Sequence, residues 1–282
     1  MIKEDVVIRI YFVGLLKNNQ FDEFYHLFTS FCKENDITSK VKVEHQHKDI
    51  WKNRSAQYSV KKENEIREKV LAHELVTLEI SKFDDVPNPF HSIDISFYFC
   101  LTQPITVSMS LPESDDSWGH IDFMINSNNW EAILNDALIE TMIRKYVSII
   151  SNGNTRVVYG FVIKMPRENG PTFYAAGLND VASNEDQRKE VTLFQRNDKS
   201  INKKIWLPFW GNIVTEKHFK SEDHKKELLD LLGKENVIPV GEKVTFFKIP
   251  VSINQFEYNS DEHKKWKKRM HDVFAKYDAV IE

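Results

Sequence analysis

The apolar pattern at the start of the chain changes from that of a strand to that of a helix. The segment "VVIRIYFV" is rich in β-branched and aromatic residues, is interrupted by Arg9 and is closed by Gly14. In "QFDEFYHLFTSFCKEN" apolar residues return at every third or fourth position, which predicts one buried helix face. That face contains Phe21, Phe24, Phe28 and Phe31, with Tyr25 and Cys32 beside them.

The next part of the chain predicts several strands and one polar interruption. "KVKVEHQH" predicts a strand, whereas the charged segment 51–69 predicts an exposed excursion or a short surface helix. Three further strands are predicted over "ELVTLEI", "SIDISFYFCL" and "PITVSMSL". In the second of these, Asp94, Ser96 and Tyr98 alternate with apolar residues, so one face is predicted to be buried and the other wet. "LPESDDSWG" predicts a loop between two halves of the chain.

The strand and helix order then returns. "HIDFMIN" predicts a strand, and residues 128–150 predict a long helix capped by Ser127 or Asn128. Gly153 is expected to end this helix in the left-handed conformation, and "TRVVYGFVIKM" predicts the following strand. The apolar stripe of the helix is predicted to comprise Trp130, Ile133, Leu134, Ala137, Leu138, Tyr146, Val147 and Ile150.

The C-terminal part mixes short strands with two charged helices. A short strand is predicted at "VTLF", and "KKIWLPFW" predicts an edge strand that kinks at Pro208 and turns at Gly211 and Asn212. Thr215 is expected to cap a short helix with His218 in its first turn. A helix around "SEDHKKELLDLLG", a strand at "EKVTFFKIPV" and an amphipathic helix from about Asp261 complete the chain.

This element order predicts the α+β class, with a mixed or antiparallel sheet and helices packed on one side. The strand, helix, strand order near residues 6–46 and again near 119–164 suggests two related halves, 1–116 and 117–282, within one compact unit.

Composition limits the function. The formal charge of -4 disfavours a dedicated nucleic-acid binder, which usually shows a basic excess. Cys32 and Cys100 lie in apolar runs, which is typical of buried free thiols in a reducing cytosol. The N-terminal segment lacks a cleavage site, and no run of about 18 apolar residues occurs, so neither secretion nor membrane insertion is predicted. We expect a cytoplasmic protein.

Candidate chemistry is sparse. His45 and His47 alternate on a predicted strand, but zinc needs three or four ligands, and no metal or cofactor is expected. His120 and Asp122 share a predicted strand face without a nucleophile nearby. Phosphate-binding loops and nucleophile elbows are absent. A non-enzymatic role is favoured, and the alternative is an enzyme or ligand sensor with a pocket between the halves near His120.

One region has a strong charge bias. From residue 79 to residue 122 eight acidic residues stand against the single base Lys82. Such a surface favours a partner with basic groups, and tryptophan is a frequent interface anchor. The predicted partner-binding residues are Asp84, Asp85, Asp94, Glu113, Asp115, Asp116 and Trp118.

The C-terminal part resembles a known group of proteins. The pattern W-x-x-F at "WLPF", Thr215 followed by His218, a charged helix ending "LLG" and the strand "VTFFKIPV" resembles immunity proteins of bacterial polymorphic toxin systems, including families linked to type VI secretion and contact-dependent toxins. "VVYGFVIKM" followed by "FYAAG" is compatible with their central strands, and the resemblance covers roughly residues 119–255. It implies a cytosolic protein that binds and neutralises a cognate toxin and has no catalytic activity. A toxin acting on nucleic acid would present a basic cleft to such a partner.

Overall fold

The structure is a computed structural model in which the chain divides into two compact units. The smaller unit consists of Arg9–Asn128 and Ser148–Val157, and the larger unit consists of Met1–Ile8, Asn129–Val147 and Val158–Glu282. That the halves 1–116 and 117–282 are related stays a prediction. The structure describes residues 4–14, 16–35, 40–47, 50–57, 64–65, 68–69, 75–83, 92–99, 118–126, 134–166, 202–205, 209–258 and 260–280.

The described elements confirm the α+β class. The strands are β1 (Glu4–Val13), β2 (Lys40–His47), β3 (Ile50–Gln57), β4 (Leu75–Phe83), β5 (Ser92–Phe99), β6 (Trp118–Asn126), β7 (Arg156–Pro166), β8 (Gly211–Thr215), β9 (Val237–Gly241) and β10 (Val244–Lys248). The α-helices are α1 (Asn18–Glu34), α2 (Asp136–Ser151), α3 (Glu222–Leu232) and α4 (Asp261–Ala275). A 3₁₀ turn over Glu216–His218 follows β8, as predicted from Thr215 and His218.

Each unit contains its own run of neighbouring strands. In the smaller unit the order is β3-β2-β4-β5-β6 followed by the Arg9–Val13 part of β1, and the pairs from β3 to β6 are antiparallel. In the larger unit the order is β7-β8-β10-β9, and all three pairs are antiparallel.

Helix α1 covers one face of the smaller unit's sheet, because its phenylalanine stripe faces that sheet. Phe24 and Phe28 are completely buried, as the spacing predicted. The Phe31 ring meets the Phe123 ring of β6 edge-on, at 5.0 Å between centroids. The Phe123 face of β6 therefore lies on the α1 side.

The C-terminal end of α2 is held by a side chain of α1. Gln20 is fully buried, and its Nε2 donates to the carbonyl oxygens of Ile149 at 2.7 Å and Ile150 at 3.1 Å. These carbonyls are among those that a helix end leaves without an internal partner. The prediction that Gly153 takes the left-handed conformation is wrong. Among the described glycines, the positive φ of that conformation occurs at Gly14 and Gly233.

The sheet of the larger unit is covered on both faces. Phe246 and Phe247 are consecutive residues of β10, and both are completely buried. The Phe247 ring stacks on Phe274 of α4 at 5.6 Å, and the Phe246 ring lies 6.3 Å from that of Trp210. Because consecutive strand residues point to opposite faces, apolar side chains fill both sides of this sheet.

The predicted turn at Gly211 and Asn212 is wrong, because both residues belong to β8. A Cβ on Gly211 would stand 2.6 Å from the Phe246 ring, so this glycine is needed for close packing. Asn212 exchanges hydrogen bonds with Phe209, donating through Nδ2 to the carbonyl at 3.1 Å and accepting from the amide at 3.3 Å. Gly211 and Asn212, predicted as turn residues, therefore shape the entry into a strand.

The predicted helix at 128–150 starts too early. Leu134 and Asn135 precede α2, and the Leu138 amide donates to Asn135 Oδ1 at 3.0 Å, so Asn135 replaces Ser127 or Asn128 as the cap. Ala137 is exposed, whereas Leu134, Tyr146, Val147 and Ile150 are buried as predicted, and the buried stripe also includes Ile139, Met142 and Ile143. Trp130 and Ile133 lie outside the described residues.

Besides β8, two further strands were not predicted. β3 occupies "IWKNRSAQ", where an exposed excursion or short helix was expected, and it pairs with β2. β9 contains Pro239, which fits a strand that pairs on one side with β10. Several predictions concern residues outside the described ranges. These are the strands at "PITVSMSL" and "VTLF", the loop that precedes Trp118, and the single residues Cys100, Trp206 and Pro208.

Candidate functional site

The smaller unit's sheet has one face whose positions are almost all polar. Antiparallel register aligns residues across β3, β2, β4, β5 and β6, and alternate residues of each strand share a face. The apolar face includes the aligned positions Ala56, Val43, Ile80, Ile95 and Phe123. Three aligned rows form the opposite face: Ser55, Glu44, Glu79, Ser96 and Asp122; Gln57, Lys42, Ser81, Asp94 and Met124; Asn53, Gln46, Thr77, Tyr98 and His120. We call these fifteen positions the polar face.

The polar face carries a net negative charge. Four of its positions are carboxylic acids, Glu44, Glu79, Asp94 and Asp122, and one is the amine Lys42. Glu44 and Glu79 are direct Cα partners on neighbouring strands. Like charges directly opposite each other destabilise a sheet, so folding alone gives no reason for this pair.

The polar face ends at β6 and β1 in a buried ion pair. Arg9 and Asp122 are 5% and 8% exposed. The Arg9 guanidinium donates from Nε to Asp122 Oδ1 at 2.6 Å and from Nη2 to Oδ2 at 2.5 Å. Its Nη1 also donates to the Tyr11 hydroxyl at 3.3 Å. Burial by itself would lower the pKa of Arg9, but Asp122 and Tyr11 raise it above its usual range.

His120 lies beside this pair as a neutral imidazole. Its Nε2 is 3.7 Å from Asp122 Oδ2, and its ring centroid is 5.3 Å from that of Tyr11. Burial, followed by the Arg9 charge, lowers the pKa of His120 to about 3 against the opposite effect of Asp122. Both carboxylate oxygens of Asp122 are bound to a permanent cation. The cluster therefore suits the joining of two strands better than it suits proton transfer.

The predicted partner-binding residues are only partly placed. Asp94 lies in β5 on the polar face, opposite Ser81 and Met124. Trp118 is the first residue of β6, so its prediction as a loop residue is wrong. The remaining predicted residues, Asp84, Asp85, Glu113, Asp115 and Asp116, lie outside the described residues.

Sequence reasoning missed two members of this region. Arg9 was visible as a single charge within an apolar strand, which is a signal of a buried partner. Glu44 lies outside the acidic stretch of the sequence and joins it only through the pairing of β2 with β4. A second signal, the alternation in "KVKVEHQH", could have placed Glu44 on the polar side of its strand.

Within the described ranges, no group of three or more histidine, cysteine, aspartate or glutamate side chains is arranged to hold a metal ion. His45 and His47 both lie in β2, where the register shifts between Gln46 and His47. None of the helices in the described part of the chain combines the length and the apolar character needed to cross a membrane.

Comparisons with known proteins add a likeness of fold. No protein-family model matches the chain, and no curated protein sequence matches it. Among solved structures, the chain is similar to the Pseudomonas aeruginosa T6SS protein PA0821, with a TM-score of 0.56 and 9% sequence identity. The match covers 96% of this chain and 72% of that chain. At this identity the likeness shows the fold alone.

Proposed function

We propose that this protein is a non-enzymatic, cytoplasmic immunity protein, which binds and neutralises a cognate bacterial toxin. The observation that carries the proposal is the polar face, where Glu44 and Glu79 oppose each other in register. Two like charges at one rung cost stability in the free protein. A basic group placed between them would remove that cost, so the pair favours a partner with positive charge.

The likeness of fold to a T6SS protein supports a role in a toxin system. It agrees with the resemblance of the C-terminal sequence to immunity proteins, which rests on different observations. Neither the likeness of fold nor the resemblance of sequence depends on a catalytic group, and the carboxylate of Asp122 is already bound by Arg9.

The proposed contact surface combines the polar face with the acidic segments that flank β5. Its charge comes from Glu44, Glu79 and Asp94, together with Asp84, Asp85, Glu113, Asp115 and Asp116. Trp118 provides the apolar anchor. A surface of this charge fits a toxin whose active cleft is basic because its substrate is nucleic acid.

Co-expression with the toxin domain encoded immediately upstream of the gene tests the proposal. We expect the parent protein to restore growth and to purify with the toxin in a 1:1 complex. Glu79→Lys should slow association and weaken its dependence on salt, because it reverses charge at the centre of the surface. Trp118→Ala should mainly speed dissociation.

Asp230→Lys is the matched control, since Asp230 is an exposed acid on α3 of the larger unit. It should bind as the parent does. Failure of the parent to protect cells or to form the complex would contradict the proposal. If Glu79→Lys and Trp118→Ala both bind the toxin as the parent does, the proposed surface is wrong.

A further inference from the structure

A pocket of about 310 Å³ lies in the larger unit, beside the first turn of α4. Its wall includes Phe256, which is buried, and Trp266, which is partly exposed. Two exposed carboxylates, Glu257 and Glu262, also line it. The volume is at the small end of the range for ligand pockets and suits a group the size of one long side chain.

One wall of the pocket is a loop, residues 249–258, that buried side chains hold in place. Lys164 of β7 is 3% exposed, and its Nζ donates to the carbonyl oxygens of Ile253 at 3.1 Å and Phe256 at 2.8 Å. A buried ammonium is costly unless it is hydrogen-bonded, so Lys164 strongly restricts the conformation of this loop.

Two more side chains fix the same loop. Asp136 Oδ1 accepts from the Ile253 amide at 2.8 Å and from the Ser252 hydroxyl at 3.1 Å. Trp210 Nε1 donates to the carbonyl of Val251 at 2.9 Å. The loop has no helix or strand, yet its shape is set before any ligand arrives. Such preorganisation lowers the entropy cost of binding.

The two carboxylates in the lining, Glu257 and Glu262, favour a cation with an apolar stem, while Lys264 and Lys267 of the same helix oppose it. Glu257 and Glu262 offer carboxylates beside the aromatic wall, and Glu262 offsets the attraction of the helix N-terminus for anions. Burial, followed by the charges of Lys267 and Lys264, lowers the pKa of His263 to about 4, so this lining residue is neutral at pH 7.

One ring of the aromatic wall already contacts a guanidinium group of the same helix. The Arg269 guanidinium lies 4.6 Å from the centroid of the Trp266 ring. Arginine stacks on aromatic rings and binds carboxylates through two nitrogens, which an ammonium cannot do. An arginine side chain therefore matches the pocket in length, apolar stem and charge.

We propose that this pocket receives one arginine side chain of a partner protein. That the partner is a toxin rests on the proposed function, whereas the chemistry of the pocket does not. The arginine would lay its stem against Phe256 and Trp266 and direct its guanidinium to Glu257 and Glu262.

Titration with a small probe tests the pocket without any partner. The probe is Nα-acetyl-arginine amide, followed through the indole N–H signal of Trp266 in protein labelled with ¹⁵N-tryptophan. The chain has six tryptophans, and Trp266→Phe identifies the signal by its loss. We expect a saturable shift at millimolar probe. The neutral analogue Nα-acetyl-citrulline amide should bind about threefold or more weakly, since it lacks the ion pairs.

The double variant Glu257→Gln/Glu262→Gln should weaken arginine binding by about threefold or more. Its matched control is Glu222→Gln/Glu242→Gln, which also removes two exposed glutamates of the larger unit, one of them in a first helical turn. This control should bind as the parent does.

Three results would overturn the proposal: no saturable shift with arginine, equal binding of citrulline, or a shift with inorganic phosphate in place of arginine. If the protein protects cells from the toxin but the pocket does not bind arginine, this inference is wrong and the proposed function stands. If the pocket binds arginine but the protein does not protect cells, the proposed function is wrong and this inference stands.

Discussion

The strands of the two units differ in what covers their faces. In the larger unit, β10 buries consecutive phenylalanines on both sides, so the strands serve as core. In the smaller unit, one face packs on α1, whereas the other carries polar positions in three aligned rows. A sheet that is core on both faces leaves binding to loops and helix ends. A sheet with one polar face can offer the strands themselves.

The largest expected effect on stability is in the larger unit, where both faces of the strands are covered. Phe246→Ala should lower the free energy of unfolding by about 3–5 kcal/mol, because it leaves a cavity beside Trp210 and Gly211. Urea unfolding followed by circular dichroism measures this loss. Thr245→Ala, at the neighbouring and partly buried position, is the control and should cost clearly less. A loss below about 1 kcal/mol for Phe246→Ala would show that this face is not packed as described.

An intermediate effect is expected from pH at the buried end of the polar face. The pKa of His120 is about 3 in the folded protein, whereas a histidine in the unfolded chain has a pKa near 6.5. On acidification from pH 7 to pH 5, the unfolded chain therefore takes up a proton that the folded chain does not. His120 should make the free energy of unfolding fall by about 2 kcal/mol over this range.

Urea unfolding at both pH values, for the parent and for His120→Gln, measures that contribution. The parent should lose about 2 kcal/mol more than the variant does. His26→Gln, at an exposed histidine, is the control for the replacement of a histidine by glutamine. Identical slopes in the parent and His120→Gln would mean that the imidazole is charged in the folded state.

The smallest effect should appear on the polar face itself, with the opposite sign. Glu79→Gln should raise the free energy of unfolding by about 0.2–1 kcal/mol, because it removes a like charge opposite Glu44. The gain should vanish in a Glu44→Gln background, which serves as the control. A loss of stability on Glu79→Gln in the parent would show that this glutamate is structural.

Local sequence patterns predicted the elements whose packing follows a single periodicity. The phenylalanine spacing of α1 and the strand at "KVKVEHQH" are confirmed, and α4 begins at Asp261 as expected. β3 was missed because "IWKNRSAQ" has few large apolar residues and depends on pairing with β2. The prediction of a turn at Gly211 and Asn212 was wrong because glycine, which favours turns, also allows an aromatic ring to approach the backbone closely.

The candidate site depended more on tertiary structure. Asp94 was found from alternation within one strand, which is a local property. Its neighbours on the polar face come from register between strands, and composition does not encode register. Glu44 lies opposite Glu79 because β2 pairs with β4 as well as with β3, the next strand along the chain. The pocket beside α4 likewise depends on Lys164, which sequence reasoning placed only in a strand.

The contact between Gln20 and the end of α2 sets an order of events during synthesis. The amide and its two acceptor carbonyls are 129 and 130 residues apart in the chain. At ribosomal rates of about 5–20 residues per second, Gln20 is made roughly 7–26 seconds before its acceptors exist. During that time α1 has its phenylalanine stripe but not this anchor. The phenylalanine stripe of the nascent N-terminal segment therefore needs protection from association until its partner helix is made.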